Sequence, residues 1–302
     1  MRRLFRNRAL GATLVALALV AAACGSGEDS DTEGPTIVVG STNFGEQEIL
    51  GEIYAQALEN AGYPVETKFQ LGARDVVNPA LKDGQIDLMV EYTGTLLTFE
   101  GGTSSTDSDG THADLVANLA GKGITVLDYA PAQDKNGFVV TADTAAQYGL
   151  AKVSDLAAEN GNLVLGGPPE CPEREFCLIG LADVYGLDFK SFQPLDVGGP
   201  LTVAALDGGE IDVGLLFTSD GVIAAKGYVL LEDDKLLQPA ENIVPVIRTE
   251  TLDEYDSDLS DLLNDVTSKI TTAELSELNK RFSLDAEDAD ALAKEWLADK
   301  GF

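Results

Sequence analysis

The sequence holds one histidine, His112, and three cysteines in 302 residues, and 51 acidic residues outnumber its 20 lysines and arginines. Each shortage closes off a class of function. Nucleophilic catalysis usually pairs a serine or cysteine with an imidazole base, and the lone imidazole here sits in the polar stretch 101–114, GGTSSTDSDGTHAD. Two cysteines and that histidine do not compose a zinc site. Asp107, Asp109 and Asp114 lack the ligand spacing and closing Glu of a calcium loop. There is no Gly-rich phosphate loop ending in Lys-Ser/Thr and no dinucleotide fingerprint after the first strand. A formal charge of −31 excludes nucleic acid as a partner, because phosphates need a basic face. No metal, cofactor or catalytic centre is expected, and a binding module is favoured.

What is present begins with a leader. Arg2, Arg3, Arg6 and Arg8 precede an uncharged run from Ala9 to Ala23, a secretory pattern too short for a comfortable membrane span. Residues 1–23 therefore read as a signal peptide. Cys24 follows small residues in a pattern that resembles the cleavage box of bacterial lipoproteins, so it is expected to carry lipid; secretion with a free thiol is the alternative. Residues 24–35 have no large apolar side chain and read as a flexible tether. With the four leader arginines gone the formal charge is −35, which suits a solvated extracytoplasmic surface and a cationic or zwitterionic ligand. Cys171 and Cys177 remain as a pair in PPECPEREFC, and an exported chain favours a disulfide over two reduced thiols.

The folded part carries an internal repeat. Leu81 to Thr95, LKDGQIDLMVEYTGT, returns 125 residues later as Leu206 to Asp220, LDGGEIDVGLLFTSD, with Leu81/Leu206, Gly84/Gly209, Ile86/Ile211, Asp87/Asp212 and Thr93/Thr218 identical. Each copy reads as a helix end, a glycine turn, an apolar strand and an aromatic-Thr pair. Flanking stretches also match, so two similar α/β lobes are expected rather than a chance likeness. Strands alternate with helices in both, which implies mainly parallel sheets with ligands off the strands' carboxyl ends. Residues 36–138 with 246–302 are assigned to lobe one, and 139–245 to lobe two. The last fifty residues read as helices that cover a lobe. Tyr92 and Phe217 stand at equivalent strand ends, facing a cleft or else filling cores.

Gly40-Ser41-Thr42-Asn43-Phe44-Gly45-Glu46, Asn78-Pro79-Ala80-Leu81 with Gly84-Gln85-Ile86-Asp87, Glu91-Tyr92-Thr93-Gly94-Thr95, Phe217-Thr218-Ser219-Asp220 and Val229 to Lys235 occur in an order that resembles the osmoprotectant-binding proteins of bacterial ABC importers. The resemblance covers nearly the whole mature chain. It implies the two-lobed, type II periplasmic-binding-protein fold, an ABC permease with its ATPase as partners, and a lipid anchor on the outer face of the cytoplasmic membrane. Its ligands are glycine betaine, choline, carnitine and related compounds. A quaternary ammonium has no N–H to donate and is held by aromatic faces. On the family pattern Tyr92, Phe217 and Phe138 match cage aromatics, and Thr42, Thr95 and Asn136 match polar pocket positions. Arg74 either meets a ligand carboxylate or forms a structural ion pair. Leu201 and Thr202 stand where many relatives carry a fourth cage Tyr. That departure leaves the ligand open between a simple osmoprotectant, an amino acid and a thione-bearing betaine. A sensing adaptor without a permease is a further alternative.

Overall fold

The computed structural model describes residues 34–255 and 257–302. The leader, Cys24 and the tether up to residue 33 lie outside the described residues. Ten strands form two sheets. The first contains β1 (Ile37–Gly40), β2 (Val65–Lys68), β3 (Leu88–Tyr92), β4 (Ile124–Val126) and, from far downstream, β10 (Ile243–Arg248), in the order β2-β1-β3-β10-β4. The second contains β5 (Asn136–Val140), β6 (Val164–Gly167), β7 (Ser191–Pro194), β8 (Val213–Phe217) and β9 (Val229–Leu230), in the order β7-β6-β8-β5-β9. In each sheet four of the five strands run in one direction, and the remaining one, β10 or β5, which arrives from the other lobe, lies antiparallel between two of them.

Side-chain alternation explains why these strands are buried on both faces. Leu88, Val90 and Tyr92 of β3 join Ile243 and Ile247 of β10 in one core cluster, whereas Met89, Val244 and Val246 face the opposite one. Phe138, Val140, Val213 and Leu215 do the same in lobe two, with Val139 and Leu216 on the far side. Burial of each such side chain contributes roughly 1.5–3 kcal/mol.

The register moves both expected lobe boundaries. Asn136 to Phe138 pair with β8 (Asn136 opposite Phe217), and Ile243 to Pro245 pair with β3 (Ile243 opposite Tyr92). Residues 136–138 thus belong to lobe two and 243–245 to lobe one, because a strand joins a sheet where its ladder begins. The two crossings touch: the Asp134 amide donates to the Glu241 carbonyl at 2.9 Å, and Gln133 bridges Asn242.

The repeated residues have matching jobs. Asp87 Oδ2 accepts the Val38 amide at 2.9 Å, and Asp212 Oδ2 accepts the Val164 amide at 2.8 Å. Ile86 and Ile211 lie so close over Gly40 and Gly166 that an added Cβ would come within 2.5 and 2.6 Å of them. Thr93 and Thr218 each clamp a crossing: Thr93 Oγ1 donates to the Ala240 carbonyl at 3.0 Å, and Thr218 Oγ1 accepts the Lys135 amide at 2.8 Å.

Two peripheral expectations change. The stretch 101–114 is not all loop, since the helix Ser108–Leu119 starts inside it with Asp107 as its N-cap. His112 lies on that helix, its Nε2 hydrogen-bonded to the Leu127 carbonyl at 2.8 Å. The tail helices Ser257–Lys269, Thr272–Ser283 and Ala289–Lys300 pack on the helix Gly45–Asn60 of lobe one, and Thr271 with Glu274 forms a capping box. They do more than cover, because Asn279 reaches the junction between the lobes. No described helix is long and apolar enough to cross a membrane.

Candidate functional site

A cavity of about 310 Å³ opens where the carboxyl ends of β3 and β8 face the crossings. Lobe one lines it with Thr42, Phe44, Arg74, Tyr92 and Thr95, and lobe two with Asn136, Phe176, Val197 and Phe217. Asp134 and Glu241, one from each crossing, also line it. Its size falls at the small end of small-molecule sites.

Three rings from separate places in the chain meet there. Phe44, in extended conformation just before the helix Gly45–Asn60, stacks on Tyr92 at 6.2 Å between centroids and on Phe217 at 5.1 Å. Phe217 in turn lies against Gly198, where a Cβ would meet the ring at 3.0 Å and where φ is +67°. A glycine is therefore needed at that turn on both counts. Phe176 comes from the loop closed by the Cys171–Cys177 disulfide, whose Cα atoms are 5.3 Å apart. The Phe176 carbonyl is held by Asn136 Nδ2 at 3.0 Å and Gln238 Nε2 at 2.9 Å.

Behind the rings lies a buried network that spans both lobes. Glu46 accepts from the Tyr92 hydroxyl at 2.7 Å through Oε1, and from Ser219 Oγ at 2.5 Å and Asn279 Nδ2 at 2.6 Å through Oε2. Asp134 accepts the Ser219 amide at 2.9 Å and lies within side-chain reach of Glu46. Burial, and then Glu46, push the Asp134 carboxyl well above the ordinary carboxylate range. Burial also raises Glu46, against the hydrogen bonds that favour its ionised form. The Tyr92 hydroxyl, raised by burial and by Glu46, stays a donor.

Arg74 is committed to Glu91, with Nε at 2.9 Å from Oε1 and Nη2 at 2.7 Å from Oε2. This is the structural ion pair of the two alternatives the sequence allows. Glu241 is only 2% exposed. Its Oε2 accepts the amides of Gly94 at 3.1 Å and Thr95 at 3.0 Å, while Oε1 is buried without a partner, as is Thr42 Oγ1. Burial lifts the Glu241 carboxyl to about 8, despite Arg74 nearby. Among the described residues no group of three or more His, Cys, Asp or Glu is placed to hold a metal.

Residues 35–299 match the family described as the substrate binding domain of the ABC-type glycine betaine transport system. The chain belongs to this family. The glycine betaine-binding protein YehZ of Escherichia coli (strain K12) is 28% identical over 88% of this chain and 91% of its own length. The ergothioneine transport permease/ergothioneine binding protein EgtU of Helicobacter pylori (strain G27) is 27% identical over 86% of this chain and 47% of its own length. A solved glycine betaine/carnitine/choline ABC transporter structure superposes with a TM-score of 0.71 at 27% identity, covering 88% of this chain and 98% of that one. The two five-stranded sheets are those of the type II periplasmic-binding fold, and members of the glycine betaine family bind solutes rather than act as enzymes.

Within this glycine betaine-family frame the cavity gathers Thr42, Arg74, Tyr92, Thr95, Asn136 and Phe217 from the residues singled out in the sequence. Phe138, Leu201 and Thr202 do not line it. Phe138 is 3% exposed and lies two residues along β5 from Asn136, deeper in the lobe-two core. Leu201 is 62% exposed, and Thr202 is occupied by Asp196, whose Oδ1 accepts its amide at 2.9 Å and its hydroxyl at 2.8 Å. Phe44, Phe176 and Glu241 are among the lining groups that sequence reasoning missed. Phe44 ends the Gly40 to Phe44 turn, but lobe two has no aromatic at the matching place. Glu241 offers a fainter signal, as a lone charge directly before the apolar run of β10.

Proposed function

We propose that this protein captures a quaternary-ammonium solute in the cavity between its lobes, closes on it by bending at the two crossings, and delivers it to an ABC permease driven by a separate ATPase. The lipid on Cys24 holds it outside the cytoplasmic membrane. The stack of Phe44, Tyr92 and Phe217 carries this reading. Three π faces beside a cavity are what a cation without N–H groups requires, with each well-placed ring contributing about 1–2 kcal/mol. Family membership supports the transport role, and paired antiparallel crossings suit a hinge.

Calorimetry of the mature domain against glycine betaine, choline, carnitine, ergothioneine and several amino acids tests it. Binding of at least one trimethylammonium compound is expected. An amino acid that binds while none of the trimethylammonium compounds does so would sink the reading. The relative named for ergothioneine favours a second ligand class, a thione-bearing betaine, which uses the same ring faces.

A further inference from the structure

The charged groups around the cavity are unequal. Six carboxyl groups line it, from Glu91, Asp134, Glu170, Glu173, Glu175 and Glu241, against the guanidinium groups of Arg74 and Arg174. Arg74 is saturated by Glu91 through a bidentate pair. Arg174 sits on the same rim loop as Glu170, Glu173 and Glu175. Arg174 has no ion pair with any described residue but stands among those acids, so a ligand carboxylate meets a lining that is mostly acidic. Each crossing delivers one acid to the floor. Asp134 lies beside Glu46 with its Oδ2 buried and unpartnered, and Glu241, held by the Gly94 and Thr95 amides through Oε2, likewise has its Oε1 buried without a partner. Thr42 Oγ1 and the amide of Gln47 are equally unpartnered on the lobe-one wall. An unpartnered buried carboxylate oxygen is destabilising unless something arrives to pair with it.

We propose that Glu241 is the charge-selecting contact of this site: it takes the hydroxyl of a net-cationic quaternary-ammonium alcohol of the choline class, so that the cleft favours such a cation over a zwitterionic betaine. The proposal rests on the quaternary-ammonium reading above. The rings hold the trimethylammonium head, which choline and glycine betaine share, and Glu241 reads the other end, where one has a hydroxyl donor and the other a carboxylate. Burial keeps the Glu241 carboxyl protonated near neutral pH, with Arg74, Glu91 and, across the paired crossings, Asp134 as its charged neighbours. An entering cation reverses that balance, so Glu241 ionises and its proton goes to solvent.

The test compares choline with glycine betaine by calorimetry, on the mature protein and on Glu241→Gln. That change keeps an acceptor for the Gly94 and Thr95 amides. Wild type is expected to bind choline at least about tenfold more tightly than glycine betaine, and the variant to lose most of that ratio by weakening choline alone. Runs in two buffers of different ionisation enthalpy are expected to show a proton released with choline in wild type and none in Glu241→Gln. Glycine betaine bound as tightly as choline by wild type overturns the proposal, as does an equal loss for both ligands in the variant. If wild type binds neither compound but does bind carnitine or ergothioneine, this proposal alone falls; if it binds none of the four, it is the quaternary-ammonium reading that falls.

Discussion

Asp87 and Asp212 occupy the same place in the two lobes, yet they hold different amounts of structure. Both receive a backbone amide from a neighbouring parallel strand, Val38 of β1 and Val164 of β6. Asp87 also takes Arg248 Nη1 at 3.2 Å and Thr251 Oγ1 at 3.0 Å, from the segment that returns after lobe two. The same contrast runs along the whole repeat. Its five identities hold helix ends, turns, strand packing and crossings. Departures fall at the cavity end: Glu91, Tyr92 and Thr95 line the cavity, and of their counterparts Leu216, Phe217 and Asp220 only Phe217 does so. Tyr92 sends a hydroxyl back to Glu46, while Phe217 has none and Ser219 supplies the bond instead. Duplication preserved the frame, and specificity lies in the positions where the copies part.

The contrast predicts its own sharpest test. Asp87→Ala leaves Arg248 with only the exposed Glu250 to pair with and takes the acceptor from the Val38 amide and Thr251, and is expected to lower stability by about 3 kcal/mol, whereas Asp212→Ala is expected to lose only about 1–2 kcal/mol. Urea unfolding measures both, and equal losses would contradict the asymmetry. Next in size is the disulfide, present in lobe two alone. Its removal by Cys171→Ala with Cys177→Ala is expected to destabilise by about 2 kcal/mol and to weaken ligand binding through Phe176. Unchanged affinity would separate the loop from the site.

The cage rings should be more nearly equal. Tyr92→Ala and Phe217→Ala are each expected to weaken a trimethylammonium ligand by about 1–2 kcal/mol, five- to thirtyfold in Kd, with circular dichroism intact. Unfolding of Tyr92→Ala would return that ring to the core. The smallest signal is in pH. Glu241 titrates at about 8 in the folded protein, above its ordinary 4.5. Its contribution to stability is full below about pH 4.5 and is lost as pH rises through about 8. Asp220, raised to about 6 by burial, adds loss in the same direction over a lower window. The ligand-free Tm is therefore expected to fall by a few degrees from about pH 5 to about pH 8, and less in Glu241→Gln.

Much of this architecture was legible because hydropathy period and glycine turns are local signals. The repeat located both strand ends and therefore Tyr92 and Phe217. Phe138 was misplaced for a geometric reason. It shares a sheet face with Asn136, but two residues of strand separate them by about 7 Å, enough to move a side chain from cavity to core. Leu201 and Thr202 depended on a loop path set by Gly198 and by Asp196, which no periodicity reports. Phe44 and Glu241 matter through contacts with distant segments, Phe44 with Phe217, 173 residues on, and Glu241 with Gly94, 147 residues back. Asn279 is a similar case, a tail residue whose partners lie 60 and 233 positions away.

That distant asparagine bears on the order in which the protein becomes functional. Lobe two occupies one uninterrupted run of sequence, β5 to β9, and has its strands in hand once residue 230 has emerged. Lobe one must wait for β10 to fill the gap between β3 and β4, and for the tail helices to close over Gly45–Asn60. Chains acquire structure from the N-terminus as they emerge, so the half begun first is completed last. Glu46 gains Asn279 only after more than nine-tenths of the polypeptide has been made, and a chain that stops short of the tail would carry an assembled second lobe beside an unfinished site.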